Sequence, residues 1–276
     1  MMLKPRSSLA AYLTTLQSEG RLSFTSKEAI AALGLTEGAF LKAATRLQKQ
    51  RMLLNPRQGF YVAVPPQFLS WGAPPPAWYI DALMRFEKRP YYVGLLKAAE
   101  LHGAAHQAVM AFQVVTDKQL SPIKAGRSRI SFHFRKNMDA LSAGIIDQKT
   151  DTGSMKVSSP ELTALDLLRY LHAAGGIDAV ATVLSELGER IDPSMLAQLS
   201  AHFERSAVQR LGYLLEHLGH ADKTGPLQSQ VRRRGSIPWV ALEPEKRGQP
   251  KMEKPKPVER NEAWRVYVMR IPELDT

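Results

Sequence analysis

Apolar residues at helical spacing mark the start of the chain. Leu9, Leu13 and Leu16 lie three and four positions apart, and Gly20 follows them. This spacing places the three side chains on one face and predicts an amphipathic helix that ends near the glycine. The next stretch, 23–25, has no helical pattern and predicts a short extended segment.

Two further helices are predicted before residue 51. Ser26 is expected to cap the second helix, because its hydroxyl can accept a bond from a free N–H of the first turn. The sequence Leu33-Gly34-Leu35 predicts a tight turn after it, since glycine adopts backbone angles that other residues avoid. Thr36 is expected to cap a third helix that runs to about Gln50.

A hairpin is predicted after the third helix. Residues 52–54 and 59–62 are apolar and strand-like, and Asn55-Pro56-Arg57-Gln58 separates them. Helix, strand, helix, turn, helix and hairpin in this order predict a winged helix–turn–helix domain.

Prolines at 65–66 and 74–76 indicate a linker, and we place a domain boundary near residue 70. Residues 71–276 are then expected to form a larger mixed α/β domain, which makes the protein α+β. Its predicted parts are helical residues from Trp78 to Glu100, interrupted at Pro90, strands in 110–158, four helices in 159–219 and a terminal hairpin in 236–270. The hairpin is expected to carry a mobile loop, 244–260, because that segment is too rich in Lys, Pro and Glu to pack.

The net charge of +11 lies at the two ends of the chain. Residues 1–64 contain nine Lys and Arg against three acids, 65–222 contain sixteen of each sign, and 223–260 contain ten against four. An excess of positive charge in two separate regions favours a polyanionic partner.

The third predicted helix has a polar face opposite its apolar face. At about 100° per residue, Phe40, Ala44 and Leu47 fall on one side and are expected to pack inward. Basic side chains on the other side can neutralise phosphates and reach guanine edges in the major groove. The residues of this predicted reading face are Gly38, Lys42, Thr45, Arg46 and Lys49, with Thr36 at its start.

Two other segments are expected to contact the DNA backbone. Arg57 and Gln58 lie at the predicted tip of the hairpin, and Thr25, Ser26 and Lys27 begin the second helix, where free N–H groups favour a phosphate. We therefore predict binding to double-stranded DNA. A solvated helix face used only for protein contacts is the alternative.

No catalytic or cofactor-binding pattern stands out in the sequence. No two glycines have the spacing of a dinucleotide-binding loop or a P-loop, there is no GxSxG sequence, and there is no cysteine. His102 and His106 lie four residues apart, but no third ligand accompanies them, so no metal is expected. We expect no cofactor, no enzymatic activity and, because no apolar run approaches about 18 residues, a cytoplasmic protein without a membrane partner.

Several short sequences in order resemble the AbiEi family of bacterial antitoxins. They are Leu33-Gly34-Leu35, Gly59-Phe60-Tyr61-Val62, 91–103, 159–168, Arg210-Leu211-Gly212-Tyr213-Leu214-Leu215-Glu216 and Trp264-Arg265-Val266-Tyr267-Val268. The resemblance implies an antitoxin of a type IV toxin–antitoxin system, of the kind used in phage defence. It also implies transcriptional autorepression through inverted repeats in the protein's own promoter. The functional partner would be a nucleotidyltransferase toxin, with which no stable complex is required.

Two other hypotheses remain open from the residues alone. The first is a winged-helix regulator whose second domain senses a small ligand, with no toxin involved. The second is an enzyme that acts on nucleic acid and uses its basic ends to hold the substrate. A neighbouring gene for a nucleotidyltransferase would favour the antitoxin over the sensor, and turnover of DNA or RNA would be required for the enzyme.

Overall fold

A computed structural model of the chain describes residues 8–104, 109–233, 235–244 and 256–274. The chain is a mixed α/β protein that forms two compact units. Unit 1 consists of Met1–Tyr92, Met110–Lys136 and Asp147–Lys156, and unit 2 of Val93–Val109, Asn137–Ile146 and Val157–Thr276. The proposed boundary near residue 70 concerns independently folding domains and stays a prediction.

The first elements of unit 1 follow the predicted order. They are α1 (Leu9–Ser18), β1 (Ser23–Thr25), α2 (Ser26–Leu33), α3 (Glu37–Lys49), β2 (Leu53–Arg57) and β3 (Phe60–Ala63). The three strands form one antiparallel sheet in the order β1-β3-β2.

Aromatic packing holds this group of elements together. Phe24 and Tyr61 stack with ring centroids 5.7 Å apart, and Phe40 meets Tyr61 edge-on at 5.2 Å. Leu13 and Leu47 are buried in the same cluster. One apolar core is therefore closed within residues 9–63, because each of the three helices directs its apolar stripe toward the sheet.

The turns of this region confirm most of the local predictions and correct two of them. Gly34 has φ +61°, in the left-handed region, and Thr36 caps α3 through its Oγ1. The cap of α2 is Thr25 rather than Ser26. Strand β2 also continues through the segment expected to be a turn, with a shift of register between Leu54 and Arg57, so the reversal is confined to two residues.

A six-stranded sheet follows, with short helices between some of its strands. Its elements are α4 (Ile80–Glu87), β4 (Tyr91–Val93), α5 (Leu95–Leu101), β5 (Phe112–Thr116), β6 (Ile123–Ala125), β7 (Ser128–Phe134), β8 (Ile145–Thr150) and β9 (Gly153–Ser158). The order is β6-β7-β5-β4-β9-β8, with β5 parallel to β7, β6 antiparallel to β7 and β4 parallel to β9. The helix expected between Trp78 and Glu100 is therefore interrupted by a buried strand, β4.

The four predicted helices of unit 2 are present. They are α6 (Pro160–Arg169), α7 (Ile177–Leu187), α8 (Pro193–Ser200) and α9 (Arg205–His217). Ser159 caps α6 and Asp192 caps α8, in each case just before a proline in the first turn. A further helix, α10 (Gly225–Arg233), was not predicted, and it packs on α8 and α9 with Leu227 and Val231 buried.

The last sheet differs from the predicted hairpin. It consists of β10 (Val240–Ala241), β11 (Glu259–Asn261) and β12 (Val266–Val268), in the order β10-β12-β11. The two strands that were expected to pair as a hairpin, β10 and β12, run parallel, and β11 lies antiparallel to β12. Most of the segment predicted to be a mobile loop, 245–255, lies outside the described residues.

Candidate nucleic-acid interface

The exposed face of α3 is the main candidate surface. Phe40, Ala44 and Leu47 are buried against the N-terminal core, as the helical spacing predicts. The residues of the predicted reading face are all exposed, namely Gly38, Lys42, Thr45, Arg46 and Lys49. The arrangement of the two faces on this helix is thus confirmed.

The basic side chains on this face are not neutralised within the described part of the chain. The side chains of Lys42, Arg46 and Lys49 make no ion pair or hydrogen bond to any residue that the structure describes. Thr36 is also exposed, but its hydroxyl accepts from the Ala39 N–H at 3.3 Å and so belongs to the helix cap. The reading face therefore presents three free cations and the Thr45 hydroxyl to solvent.

Most of the N–H groups at the start of α2 already have partners. Thr25 and Glu28 form a capping box, in which the Thr25 hydroxyl accepts from the Glu28 N–H at 3.1 Å and the Glu28 carboxylate accepts from the Thr25 N–H. The Ser26 N–H donates to Gly59. Because the N–H groups of Thr25, Ser26 and Glu28 are used in these bonds, they are not free to bind a phosphate. The Lys27 side chain is exposed and stays available to contact a phosphate, as the sequence predicts.

Arg57 is held inside unit 1 rather than displayed at a hairpin tip. Its Nε lies 3.0 Å from a Glu87 carboxylate oxygen, one Nη donates to the Ser121 carbonyl oxygen at 2.6 Å, and its guanidinium lies 5.5 Å from the centre of the Phe132 ring. About four-fifths of both the Arg57 and the Glu87 side chains are buried. Arg57 is thus a structural residue, whereas its neighbour Gln58 is exposed.

A second basic surface, which the sequence reasoning missed, lies on the hairpin of β6 and β7. Lys124 and Arg129 are exposed and face each other directly across the two strands. Like charges in this position repel each other unless an anion lies between them. The exposed Arg127 at the turn lies over the Trp71 ring, 5.9 Å from its centre. We name Lys124, Arg127 and Arg129 the hairpin cations.

A close contact fixes Trp71 beside this hairpin. A Cβ at Gly126 would lie 2.1 Å from the Trp71 carbonyl oxygen, and the Arg127 N–H donates to the same oxygen at 3.1 Å. Trp71 is 56% exposed. Together with Arg51, which follows α3 by two residues, it lines a pocket with Arg127. An exposed aromatic ring among arginines is an arrangement that suits the phosphates and bases of nucleic acid.

In unit 2, the sequence from Arg210 to Glu216 anchors the last sheet. Gly212 faces the fully buried Trp264, and a Cβ at this position would come within 2.3 Å of its ring. The buried Gln209 amide donates to the Trp264 and Pro238 carbonyl oxygens at 2.8 Å each. The Tyr213 hydroxyl lies 3.1 Å from Glu259, and burial, with a smaller contribution from that carboxylate, raises the pKa of Tyr213.

Two histidines of unit 2, His102 and His220, make structural contacts. His102 Nε2 lies 2.7 Å from the Ser158 carbonyl oxygen, and His220 Nε2 lies 3.0 Å from that of Ser185. His106 lies outside the described residues. Asp166 is fully buried in α6. Within the part of the chain that the structure describes, no group of three or more acidic or histidine side chains is placed to hold a metal ion.

The described helices include none with the length and apolar character needed to cross a bilayer.

Comparison with known families gives a direct match. Residues 92–217 match the family model of the AbiEi antitoxin C-terminal domain. This match confirms the resemblance proposed from the sequence, and it covers α5 to α9 and most of the six-stranded sheet.

A solved structure has a similar fold along nearly the whole chain. It is the crystal structure of the RV2827C protein from Mycobacterium tuberculosis, with a TM-score of 0.66 and 13% sequence identity. The similarity covers 96% of this chain and 94% of that chain, and at this identity it indicates a common fold. No curated protein matches the chain.

Proposed function

Because residues 92–217 make the chain a member of the AbiEi antitoxin family, we propose that it is the antitoxin of a type IV toxin–antitoxin system and the repressor of its own promoter. In this proposal, unit 2 carries the antitoxin activity against a nucleotidyltransferase toxin, and no stable complex with the toxin is required. The N-terminal elements form a winged helix–turn–helix that reads inverted repeats in double-stranded operator DNA.

The main support for DNA binding is the basic face of α3, whose cations have no acidic partner among the described residues. Lys42, Arg46 and Lys49 point to solvent without an acidic partner among the described residues. A helix with such a face fits the major groove, where arginine can bind guanine edges and lysine can bind phosphates. The hairpin cations and Arg51 extend the positive surface near the end of α3, with Trp71 beside them, and we include these residues as backbone contacts.

The test is a titration of the full-length protein with the DNA upstream of its own gene, followed by fluorescence anisotropy. We expect binding that is tighter than to a shuffled sequence of equal length and that weakens with salt. The triple variant Lys42→Ala, Arg46→Ala, Lys49→Ala should lose this preference. Equal affinity of the triple variant and the wild type for the operator would contradict the assignment of α3 as the reading element.

The antitoxin part is tested separately by co-expression with the nucleotidyltransferase encoded by the neighbouring gene. We expect the protein to restore growth that the toxin arrests. A chain that binds its operator yet gives no protection would support the alternative, a regulator that senses a small ligand.

That alternative has one structural observation in its favour. A groove of about 700 Å³ in unit 1 runs beside β1 and the start of α2. It is lined by Trp78 and by two ion pairs, Arg21 with Glu28 and Arg85 with Asp81. A ligand bound there would touch the elements that position α3. The family match nevertheless favours the antitoxin.

A further inference from the structure

A small pocket in unit 2 lies beside the segment that anchors the last sheet, and neither of the proposed activities uses it. It has a volume of about 230 Å³ and lies where the end of α6 meets the start of α9. Its polar lining residues are Arg169, Tyr170, Glu204, Ser206 and Arg210. Two arginines against one acid give it a positive charge.

Arg210 is the cation that lacks a counterion. Its Nε donates to the Ala241 carbonyl oxygen at 2.9 Å, which fixes the guanidinium in place. Burial lowers the pKa of Arg210, and no carboxylate contacts it among the described residues. Removing a guanidinium from water without an opposing charge costs free energy, and an anion bound to its two Nη groups would offset that cost.

The other arginine of the pocket is already paired. Arg169 binds the carboxylate of Glu204, and its guanidinium also lies 5.5 Å from the centre of the Tyr170 ring. Glu204 is the acid of the pocket, and about half of its side chain is exposed. Because Glu204 neutralises Arg169, the positive charge of Arg210 is left to bind an anionic ligand.

The start of α9 adds hydrogen-bond donors to the same place. Glu204 occupies the N-cap position, but its side chain makes no capping bond. Ser206 lies in the first turn, and neither its N–H nor its hydroxyl has a partner among the described residues. The first turn of a 13-residue helix carries partial positive charge, which favours an anion there.

We propose that this pocket binds the phosphoryl group of a small phosphate ester such as a nucleotide, with Arg210 and Ser206 as its main contacts. Guanidinium forks and helix N-termini both match the tetrahedral oxygens of phosphate. Because pockets that enclose whole ligands hold roughly 300 Å³ or more, the phosphoryl group enters and the remainder of the ester extends toward solvent. This inference does not depend on the identity of the toxin.

The experiment is calorimetric titration of the full-length protein with sodium phosphate and, separately, with ATP. The triple variant of α3 serves as the background, because the reading face also attracts phosphates. We expect both ligands to bind. Similar affinities would identify an isolated phosphoryl site, whereas tighter binding of ATP would show that the sugar or base adds contacts.

Two variants and a control decide whether the pocket is the site. Ser206→Asp should weaken binding by roughly tenfold or more while keeping the melting temperature, because an acid in the first turn repels phosphate but favours the helix. Arg210→Gln should weaken binding to a similar extent. Lys149→Ala, an exposed position in unit 1 that changes the net charge by the same amount as Ser206→Asp, should leave binding unchanged.

Absence of binding at millimolar phosphate and ATP would overturn the proposal. So would binding that Ser206→Asp leaves intact. If Arg210→Gln fails to fold, the Ser206→Asp result alone decides the outcome.

Discussion

Gly212 shows how much depends on one missing side chain. A Cβ at this position would lie 2.3 Å from the ring of Trp264, which is fully buried and has no room to move. We expect Gly212→Ala to lower the free energy of unfolding by roughly 1–3 kcal/mol through overpacking. Urea unfolding measures this, and Gly225→Ala is the control because nothing lies within 4 Å of its Cβ position. A neutral Gly212→Ala would contradict this packing.

Arg57 separates a structural role from DNA contact. Arg57→Ala leaves Glu87 largely buried without its partner, so we expect a loss of roughly 1–3 kcal/mol in the free energy of unfolding. Operator affinity, measured below the unfolding transition, should change little. Gln58→Ala, one residue further along and exposed, should leave stability intact. Reduced DNA binding by stable Arg57→Ala protein would restore Arg57 to the interface.

Arg46 and Lys49 should differ in the kind of DNA contact that they make. Arg46 lies in the middle of the exposed face, and Arg46→Ala should cost on the order of 1–3 kcal/mol on the operator and much less on random DNA. Lys49→Ala should weaken both and reduce the salt dependence by about one phosphate. Titration at several salt concentrations distinguishes the two patterns. If Arg46→Ala lowers the affinity for the operator and for random DNA equally, Arg46 contacts a phosphate rather than a base.

Among the elements, the hairpin of β6 and β7 allows a test of the second basic surface. Lys124→Ala with Arg129→Ala should weaken binding to operator and random DNA alike and reduce the salt slope by roughly two phosphates. Stability should not fall, because the change removes a repulsive cross-strand pair. Lys149→Ala is a matched control, since it lies exposed on β8 at the other edge of the same sheet. An unchanged salt slope would exclude this hairpin from the interface.

An element could be predicted when neighbouring residues in the sequence determine where it starts and which face it buries. The start of α8 is encoded by adjacent residues, Asp192 and Pro193, and α3 by a cap and an apolar stripe. Strands β4 and β6 have only three residues each, too few to establish an alternating pattern. Helix α10 carries only Leu227 and Val231 on its buried side, and its packing on α8 is not visible in sequence.

In the candidate interface, too, only the features that local sequence encodes could be predicted. The reading face of α3 follows from helical periodicity alone. The ion pair of Arg57 could not be predicted, because its partner Glu87 lies thirty residues away on α4. The role of Arg127 depends on Trp71, which is even more distant in sequence. Contacts of this kind arise from tertiary packing, and a local pattern does not record them.

For the whole molecule, the two proposed activities should be separable. The reading face belongs to unit 1, and the described part of the family match from α6 to α9 belongs to unit 2. We expect the Lys42→Ala, Arg46→Ala, Lys49→Ala variant to lose repression of a promoter reporter and to keep full protection in toxin co-expression. Loss of both activities in a folded variant would show that protection requires DNA binding.

The end of the chain contributes stability that depends on pH. Arg270 binds Asp178 of α7 through two hydrogen bonds of 2.7 Å and also pairs with Glu243. The hydrogen bonds from Arg270 hold the pKa of Asp178 below its usual value, with a further contribution from the Glu273 N–H. A depressed carboxyl pKa stabilises the folded state above the pKa of the unfolded chain, and this contribution is lost as the pH falls through the folded value.

Asp178→Asn should therefore be less stable than the wild type at neutral pH, and the difference should shrink as the pH falls below about 4. Urea unfolding of both proteins across this range measures the effect. A difference that stays constant down to acidic pH would show that the carboxylate charge is not what holds the end of the chain.

The contrast between Trp71 and Trp264 gives the molecule two optical reporters. Trp264 is sealed in unit 2 and should emit at short wavelength, resist acrylamide and shift to the red only when its sheet detaches from α9. Trp71 is exposed to solvent in unit 1, and its emission should change when the DNA backbone covers it. Because Trp78 and Trp239 also emit, the two signals are read in a variant that carries Trp78→Phe and Trp239→Phe, where emission follows DNA binding and the integrity of unit 2 in one sample.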